Sequence, residues 1–411
     1  MYDFMDMDFG NESTPTASAP YLPEASDCMR CGLCVNGCPT FRLFQIQEES
    51  PRSRVRTLSK ILLENESISA KERQHLDNCV QCRACETVCP SKMQYGDLFD
   101  QAQAKLAKPP QGLAKWALAL IAHKNWRARL MPWLALYLHS GLQKPLRQSG
   151  ILKKLGLADA EAMLNKPAVG NLAKHYPSSR AKQGQVALFT GCIGEHFDRT
   201  TLDAAIKLLN AVGFDVIVPS EQGCCGAIHQ HNGQDASALI EHNIAVFNSL
   251  EVDAVIHTAT GCGAMLSEYP KSSSEAAYFF AGRLQDISDF LLAHWPEDLK
   301  LLPLPEKIAV QEPCSQRNVL KNQQTVYDLL AKIPELKVQP LVDNALCCGA
   351  GGSYMLTHPD NAKQLRALKQ EAIKTAATKV VSSNYACAAF LNAAKESSII
   401  HPLQVLAGQL P

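Results

Sequence analysis

The sequence has no long apolar run and no surplus of charge of either sign. Its most continuous apolar stretches, Trp116 to Ala122 and Leu130 to Leu138, are interrupted by charge or proline. Both fall short of the about 20 residues that cross a bilayer, so no membrane span is predicted. Forty Lys and Arg offset forty Asp and Glu, which excludes a globally basic nucleic-acid binder. With 46% hydrophobic residues the chain is also not a wholly disordered one. The first twenty residues carry acids where a secretory signal needs a positive start and an apolar stretch. The expected location is therefore the cytoplasm, including the inner face of the cell membrane. No G-x-G-x-x-G following a strand and no Walker loop occur, so a nucleotide or flavin site is not expected in this chain.

What is plentiful is cysteine. The 411 residues, enough for two or three domains, contain sixteen. That is too few for a disulfide scaffold of this length, and in a reducing compartment they are better read as metal ligands or redox groups.

Their grouping divides the chain. Residues 1–27 hold six acids and no Lys or Arg, the composition of a disordered acidic arm. Residues 28–100 hold eight cysteines in two similar halves around a helical pattern, SPRSRVRTLSKILLENE. Residues 101–182 hold fourteen Lys and Arg against Asp159 and Glu161, with three of the four Trp, and read as a basic helical connector. From 183 onward short β-rich runs alternate with helical patterns, the signature of βαβ units. The pattern occurs twice, as repeats 183–300 and 301–411. The expected fold class is α+β and multidomain.

Cys28, Cys31, Cys34 and Cys38 before Pro39 form C-x2-C-x2-C-x3-C-P, and Cys79, Cys82, Cys85 and Cys89 before Pro90 repeat the spacing. Three cysteines at two-residue gaps let a tight loop wrap three corners of a cubane, while the fourth is carried onward to the other cluster. The spacing thus predicts two [4Fe-4S] clusters, one on Cys28, Cys31, Cys34 and Cys89, the other on Cys79, Cys82, Cys85 and Cys38. Zinc, the competing reading of C-x2-C pairs, gains nothing from a third evenly spaced cysteine and a fourth before proline. The forty residues between Cys38 and Cys79 are too many for a compact ferredoxin and predict an α-helical ferredoxin domain. Arg52, Arg54 and Arg56 are placed to offset the negative charge of thiolate-ligated clusters.

The other eight cysteines fall into register in the duplicated half. Cys192, Cys224, Cys225 and Cys262 match Cys314, Cys347, Cys348 and Cys387. Thirty-one residues separate Cys192 from Cys224, and thirty-two separate Cys314 from Cys347. With Cys192 and Cys262 expected at strand ends on one sheet edge, each quartet is a candidate site for a further iron-sulfur cluster, zinc or a redox dithiol. Buried cysteines acting as small hydrophobes are the alternative. His229, His231 and His358 beside these segments are candidate proton carriers, or else exposed positions and caps.

Two ferredoxin runs followed by two Cys-Cys-Gly repeats resemble the iron-sulfur subunits of glycolate oxidase. The wider group includes the anaerobic glycerol-3-phosphate dehydrogenase iron-sulfur subunit and heterodisulfide reductase. CGLCVNGCPT, CVQCRACETVCPS, GCCGA, TATGCGAMLSEYP and LCCGAGGSYMLTHPDNAKQLR carry the likeness, which spans roughly residues 25–405. The resemblance implies an electron-transfer subunit working with flavoprotein partners that oxidise a 2-hydroxy acid, most closely glycolate to glyoxylate. It also implies electrons passed to a membrane quinone-type acceptor, with substrate oxidation on a partner subunit. It leaves three rivals: a glycerol-3-phosphate or lactate dehydrogenase subunit, a heterodisulfide-reductase-like catalytic subunit, and a non-enzymatic redox sensor or scaffold. The wider group often ends each repeat in C-x-x-C, whereas here the positions three before Cys262 and Cys387 are Ala259 and Asn384. Glu312 stands where a Cys-Pro-Cys would be familiar. The basic connector, with Trp116, Trp126 and Trp133, is expected to meet anionic lipid or an acidic partner subunit.

Overall fold

The computed structural model describes residues 28–411 except 30, 156, 165–166, 169, 377 and 395. The acidic arm expected over 1–27 lies outside the described residues.

The cysteine-rich N-terminal region is helical. Helix Pro51–Leu62 starts where the sequence invites it: Ser50 accepts a bond from the Ser53 N–H, and Pro51 occupies the first helical position. Its apolar stripe, Val55, Leu58, Ile61 and Leu62, packs against Leu98, Phe99 and Ala102 of helix Tyr95–Leu106. Helix Ala70–Asp77 opens with a reciprocal capping box between Ser69 and Glu72. The connector is also helical, led by helices Gly112–Ala122 and Lys124–His139.

The duplicated half contains two sheets. In the first, β1 (His175–Tyr176), β2 (Gly184–Phe189), β3 (Phe214–Ile217), β4 (Ala254–His257) and β5 (Leu284–Asp286) lie in the order β1-β3-β2-β4-β5. All pairs are parallel except β1 on β3. In the second, β6 (Lys307–Gln311), β7 (Lys337–Pro340) and β8 (Lys379–Ser382) form the parallel order β7-β6-β8. The predicted strands and crossover helices are present. β1 and β5, at two and three residues, are too short to show a period and are not anticipated by the pattern.

One expectation is corrected. Cys262 does not end a strand: β4 stops at His257, and Cys262 lies in the first turn of helix Thr260–Ser267. That helix folds back over the strand end, so close that a Cβ on Gly263 would sit 2.1 Å from the His257 ring. Cys387 is placed alike, on helix Tyr385–Asn392 after β8. Cys192 follows β2 by a short turn.

One apolar core spans both sheets. Val186, Leu188 and Ile256 of the first share it with Ile308, Val310 and Val381 of the second. The C-terminal helix Pro402–Ala407 adds Leu403 and Leu406, which reach helix Arg199–Ala211 of the first repeat, and Gln404 donates to the Thr201 hydroxyl at 2.9 Å.

Candidate metal centres

The two N-terminal cysteine runs adopt one local shape. In each, the residue after the second cysteine is left-handed, Gly32 at φ 78° and Arg83 at φ 57°, and a four-residue helix follows. Glycine takes this conformation without cost. Arg83 is held in it by bonds to Glu86 and Glu268. The fourth cysteine of the first run, Cys38, is the N-cap of helix Pro39–Phe44, with Pro39 next in line.

Two neighbouring hollows result, with about 500 and about 300 Å³ of space that includes the solvent they open to. The first is lined by Cys28, Cys31, Cys34 and Cys89 and also by Cys85, among apolar walls from Val55 and Met93. The second is lined by Cys38, Cys79, Cys82 and Cys85. Pro51, Cys85 and Tyr95 wall both. Each hollow thus brings together the four cysteines expected for one cluster, with Cys85 on the partition. Among the described residues no three His, Cys, Asp or Glu converge closely enough for a single metal ion. The donor set is all thiol, the choice of iron-sulfur clusters, and the residues fit that group.

The hollows differ in surroundings. Cys31 is exposed, which puts the first at the molecular surface. The second lies deeper, with Cys38 buried and Cys79, Cys82 and Cys85 half-buried, and burial pushes the Cys79, Cys82 and Cys85 thiols above the ordinary range. Against its wall stands Arg54, 1% exposed. Its guanidinium lies 3.7 Å from the Cys38 Sγ, donates to the Thr40 hydroxyl at 2.9 Å and to the His75 carbonyl at 2.7 Å, and pairs with buried Glu49. Glu49 is satisfied in turn by Asn78 at 2.6 Å and His75 at 2.8 Å. Burial works against the Arg54 charge, yet the surrounding Cys79, Tyr95, Cys38 and Glu49 outweigh it and hold the proton more firmly than usual. The Tyr95 hydroxyl donates to the Cys79 Sγ at 3.5 Å. Of the three arginines singled out by pattern, Arg54 meets the second hollow and Arg52 lines the first. Arg56 lines neither.

Both C-terminal quartets are brought together. In the first repeat the thiols form a chain from Cys192 through Cys224 and Cys225 to Cys262. Bonds from Cys192 and Cys225 push the Cys224 thiol well below its ordinary value, with His229 contributing. The second repeat runs likewise from Cys314 through Cys347 and Cys348 to Cys387, the last two sulfurs 2.9 Å apart. The left-handed Gly226 and Gly349 turn their N–H groups back onto Cys224 and Cys347 at 3.5 and 3.3 Å. Asn384, standing where the wider pattern has a cysteine, donates to the Cys387 Sγ at 3.5 Å. Of the histidines, His229 meets Cys224, whereas His231 pairs with Asp100 and His358 stacks on Tyr354.

The helical domain rests on both repeats. Arg83 and Lys271 tie it to the first repeat through Glu268 and Asp97. On the second, Asn318 donates to the Cys82 carbonyl at 2.7 Å, and Val80 packs among Cys347, Cys348 and Cys387. The charges of Cys314 and Cys82 are close enough to raise the Cys82 thiol further. The second quartet therefore abuts the second hollow, a neighbourhood that no spacing in the sequence announces.

Residues 24–93 match a 4Fe-4S dicluster domain, and residues 186–267 and 308–392 each match a cysteine-rich domain. The iron-sulfur nature of the cofactors follows from these matches. The chain is 33% identical to the probable glycolate oxidase iron-sulfur subunit of Bacillus subtilis, covering 89% of this chain and 87% of that protein. It is 30% identical to the glycolate oxidase iron-sulfur subunit of Escherichia coli K12, covering 92% of each. A more distant relative is a subunit of the anaerobic glycerol-3-phosphate dehydrogenase of Escherichia coli K12, at 26% identity over 80% of this chain and 83% of that protein.

Proposed function

The chain belongs to the family of glycolate oxidase iron-sulfur subunits, and from that premise we propose that it is the electron-transfer subunit of a flavin-linked 2-hydroxyacid dehydrogenase complex. Glycolate is its substrate, oxidised to glyoxylate on a flavoprotein partner, and the electrons leave toward a membrane quinone-type acceptor. One observation supports this above the rest: two adjacent thiol-lined hollows that share Cys85, one with an exposed cysteine at its rim and the other beside a third set of thiols. Cys28, Cys31, Cys34 and Cys89 hold the outer cluster, and Cys79, Cys82, Cys85 and Cys38 the inner. When bound, such clusters supply one-electron carriers. The chain's own residues set their environment. Exposed Cys31 gives a donor protein access to the outer site, Arg54 and Tyr95 place positive charge and a donor proton against the inner sulfurs, and Val80 and Asn318 hold the inner loop to the second repeat. The domain limits follow the same division, with the helical cluster domain over 28–100, the connector to 182, and the repeats meeting near 300.

The test is anaerobic copurification with the flavoprotein partners, followed by addition of glycolate. The expected result is a stable complex in which glycolate reduces the clusters, seen by EPR. A chain that binds no flavoprotein with its clusters intact overturns the proposal, as does a complex whose clusters stay oxidised with glycolate present.

A further inference from the structure

Helix Lys124–His139 has two apolar faces where a surface helix needs one. Arg127, Met131, Ala135 and Leu138 recur along one side and are buried. They are fixed there: Arg127 donates to the Leu120 carbonyl at 3.4 Å and to that of Ile121, and Lys124 pairs with Glu195 of the first repeat at 3.2 Å. The opposite side, generated by the same helical period, presents Trp126, Leu130, Trp133 and Leu136 to solvent. Trp133 is 70% exposed and Leu136 60%. On helix Gly112–Ala122, Trp116 is 66% exposed, with its ring centroid 6.0 Å from that of Trp126. A face so anchored from behind cannot rotate to hide these rings. Isolated exposed apolar residues are ordinary, but a run of tryptophan and leucine along one helix side marks an interaction surface.

The charge around it says what covers it. Lys115 and Arg129 lie on these two helices, Lys144, Lys153 and Lys154 follow in the connector, and none of the five has an ion pair among the described residues. Glu161, one of the connector's two acids, is already taken by Arg147 at 2.6 Å and by the Tyr137 hydroxyl at 3.1 Å. Lysine is depleted at protein–protein interfaces, whereas lysine and arginine around an aromatic–leucine face are what an anionic bilayer attracts. Tryptophan settles at that depth because its ring is apolar and its N–H polar.

We propose that the outward face of helices Gly112–Ala122 and Lys124–His139 docks onto an anionic lipid bilayer, lying in the headgroup plane. This rests on the membrane-side acceptor of the proposed function and names the surface that meets it. The apolar face faces lipid, the lysines face phosphate, and the first repeat lies on the membrane side of the molecule, behind Lys124 and Glu195.

The test uses the cluster-loaded complex with vesicles of phosphatidylcholine alone or mixed with phosphatidylglycerol. Cosedimentation is expected only with the anionic vesicles and should fall as salt rises. Lys115→Gln and Arg129→Gln are each expected to weaken binding about five-fold, and Trp116→Ser with Trp133→Ser about ten-fold or more. Unchanged cluster absorption and flavoprotein copurification report that each variant is folded. The proposal is overturned by equal binding to neutral vesicles, by no binding, or by variants that bind as the parent does. It is also overturned if the lipid-free complex protects Trp116 and Trp133 from hydroxyl-radical labelling, which would make the face a flavoprotein contact. Vesicle binding that persists while glycolate fails to reduce the clusters would refute the function and leave the docking face standing.

Discussion

Replacing Arg54 with methionine keeps the bulk of a buried side chain and removes its charge from beside Cys38. The guanidinium lies 3.7 Å from that sulfur, so at an effective dielectric of about 20 a unit charge there is worth at most about 4.5 kcal/mol to an added electron. The electron is shared over a whole cluster, which reduces this to about 2 kcal/mol, or about 100 mV for a one-electron couple. Arg54→Met is therefore expected to lower the potential of the inner cluster by about 100 mV while the outer one moves far less. Glu49 would lose its cation, so the double change Glu49→Gln with Arg54→Met separates the charge effect from that of an orphaned buried carboxylate. Arg54→Lys retains the charge but not the simultaneous bonds to Thr40, His75 and Glu49, and should shift the potential less than methionine does. The assay is an anaerobic redox titration followed by EPR, with iron and sulfide counted to establish loading. A fully loaded Arg54→Met protein whose two potentials match the parent's would refute the argument, because a merely structural arginine would alter loading and not potential.

Three further outcomes are expected. Tyr95→Phe removes the hydroxyl that bonds Cys79 and should lower the inner potential by about 40 mV, the worth of a hydrogen bond of about 1 kcal/mol, in the same titration. Burial raises the Asp198 carboxyl to about 7 although Thr201 donates to it. A folded-state value above the unfolded one stabilises fully below about pH 4 and is lost as pH rises through about 7, by at most about 4 kcal/mol. Asp198→Asn should abolish that decline in urea midpoints compared at about pH 5 and about pH 8, and parallel profiles would contradict the assignment. Gly349 has φ 88°, and a Cβ there would lie 2.5 Å from the Ala362 carbonyl oxygen. Gly349→Ala should therefore cost about 2 kcal/mol or more, read as a lower melting temperature.

How much of this is legible in the sequence depends on the range of each interaction. The two C-x2-C-x2-C-x3-C-P runs are local patterns, and the four cysteines expected together line each hollow, with Cys85 lining both. The pattern overextends the strand toward Cys262 because β-branched Val255, Ile256 and Thr258 favour extension up to a boundary set by sheet partners and by Gly263 packing on His257. Cys85 on the partition between hollows and the approach of Cys314 to Cys82 are long-range contacts, and no spacing encodes them. Arg52, Arg54 and Arg56 look alike in the sequence; helical phase turns Arg54 inward, and only the fold supplies Glu49 and Thr40 to receive it.

The return of helix Pro402–Ala407 to helix Arg199–Ala211 bears on how the molecule is made. The first repeat closes part of its interior with Leu403 and Leu406, which follow the last strand of the second repeat, so that part of its core forms only after the second repeat has been made. A chain truncated just before Pro402 would leave helix Arg199–Ala211 open to water on the side that Leu403 and Leu406 cover, although the missing residues belong in sequence to the other repeat.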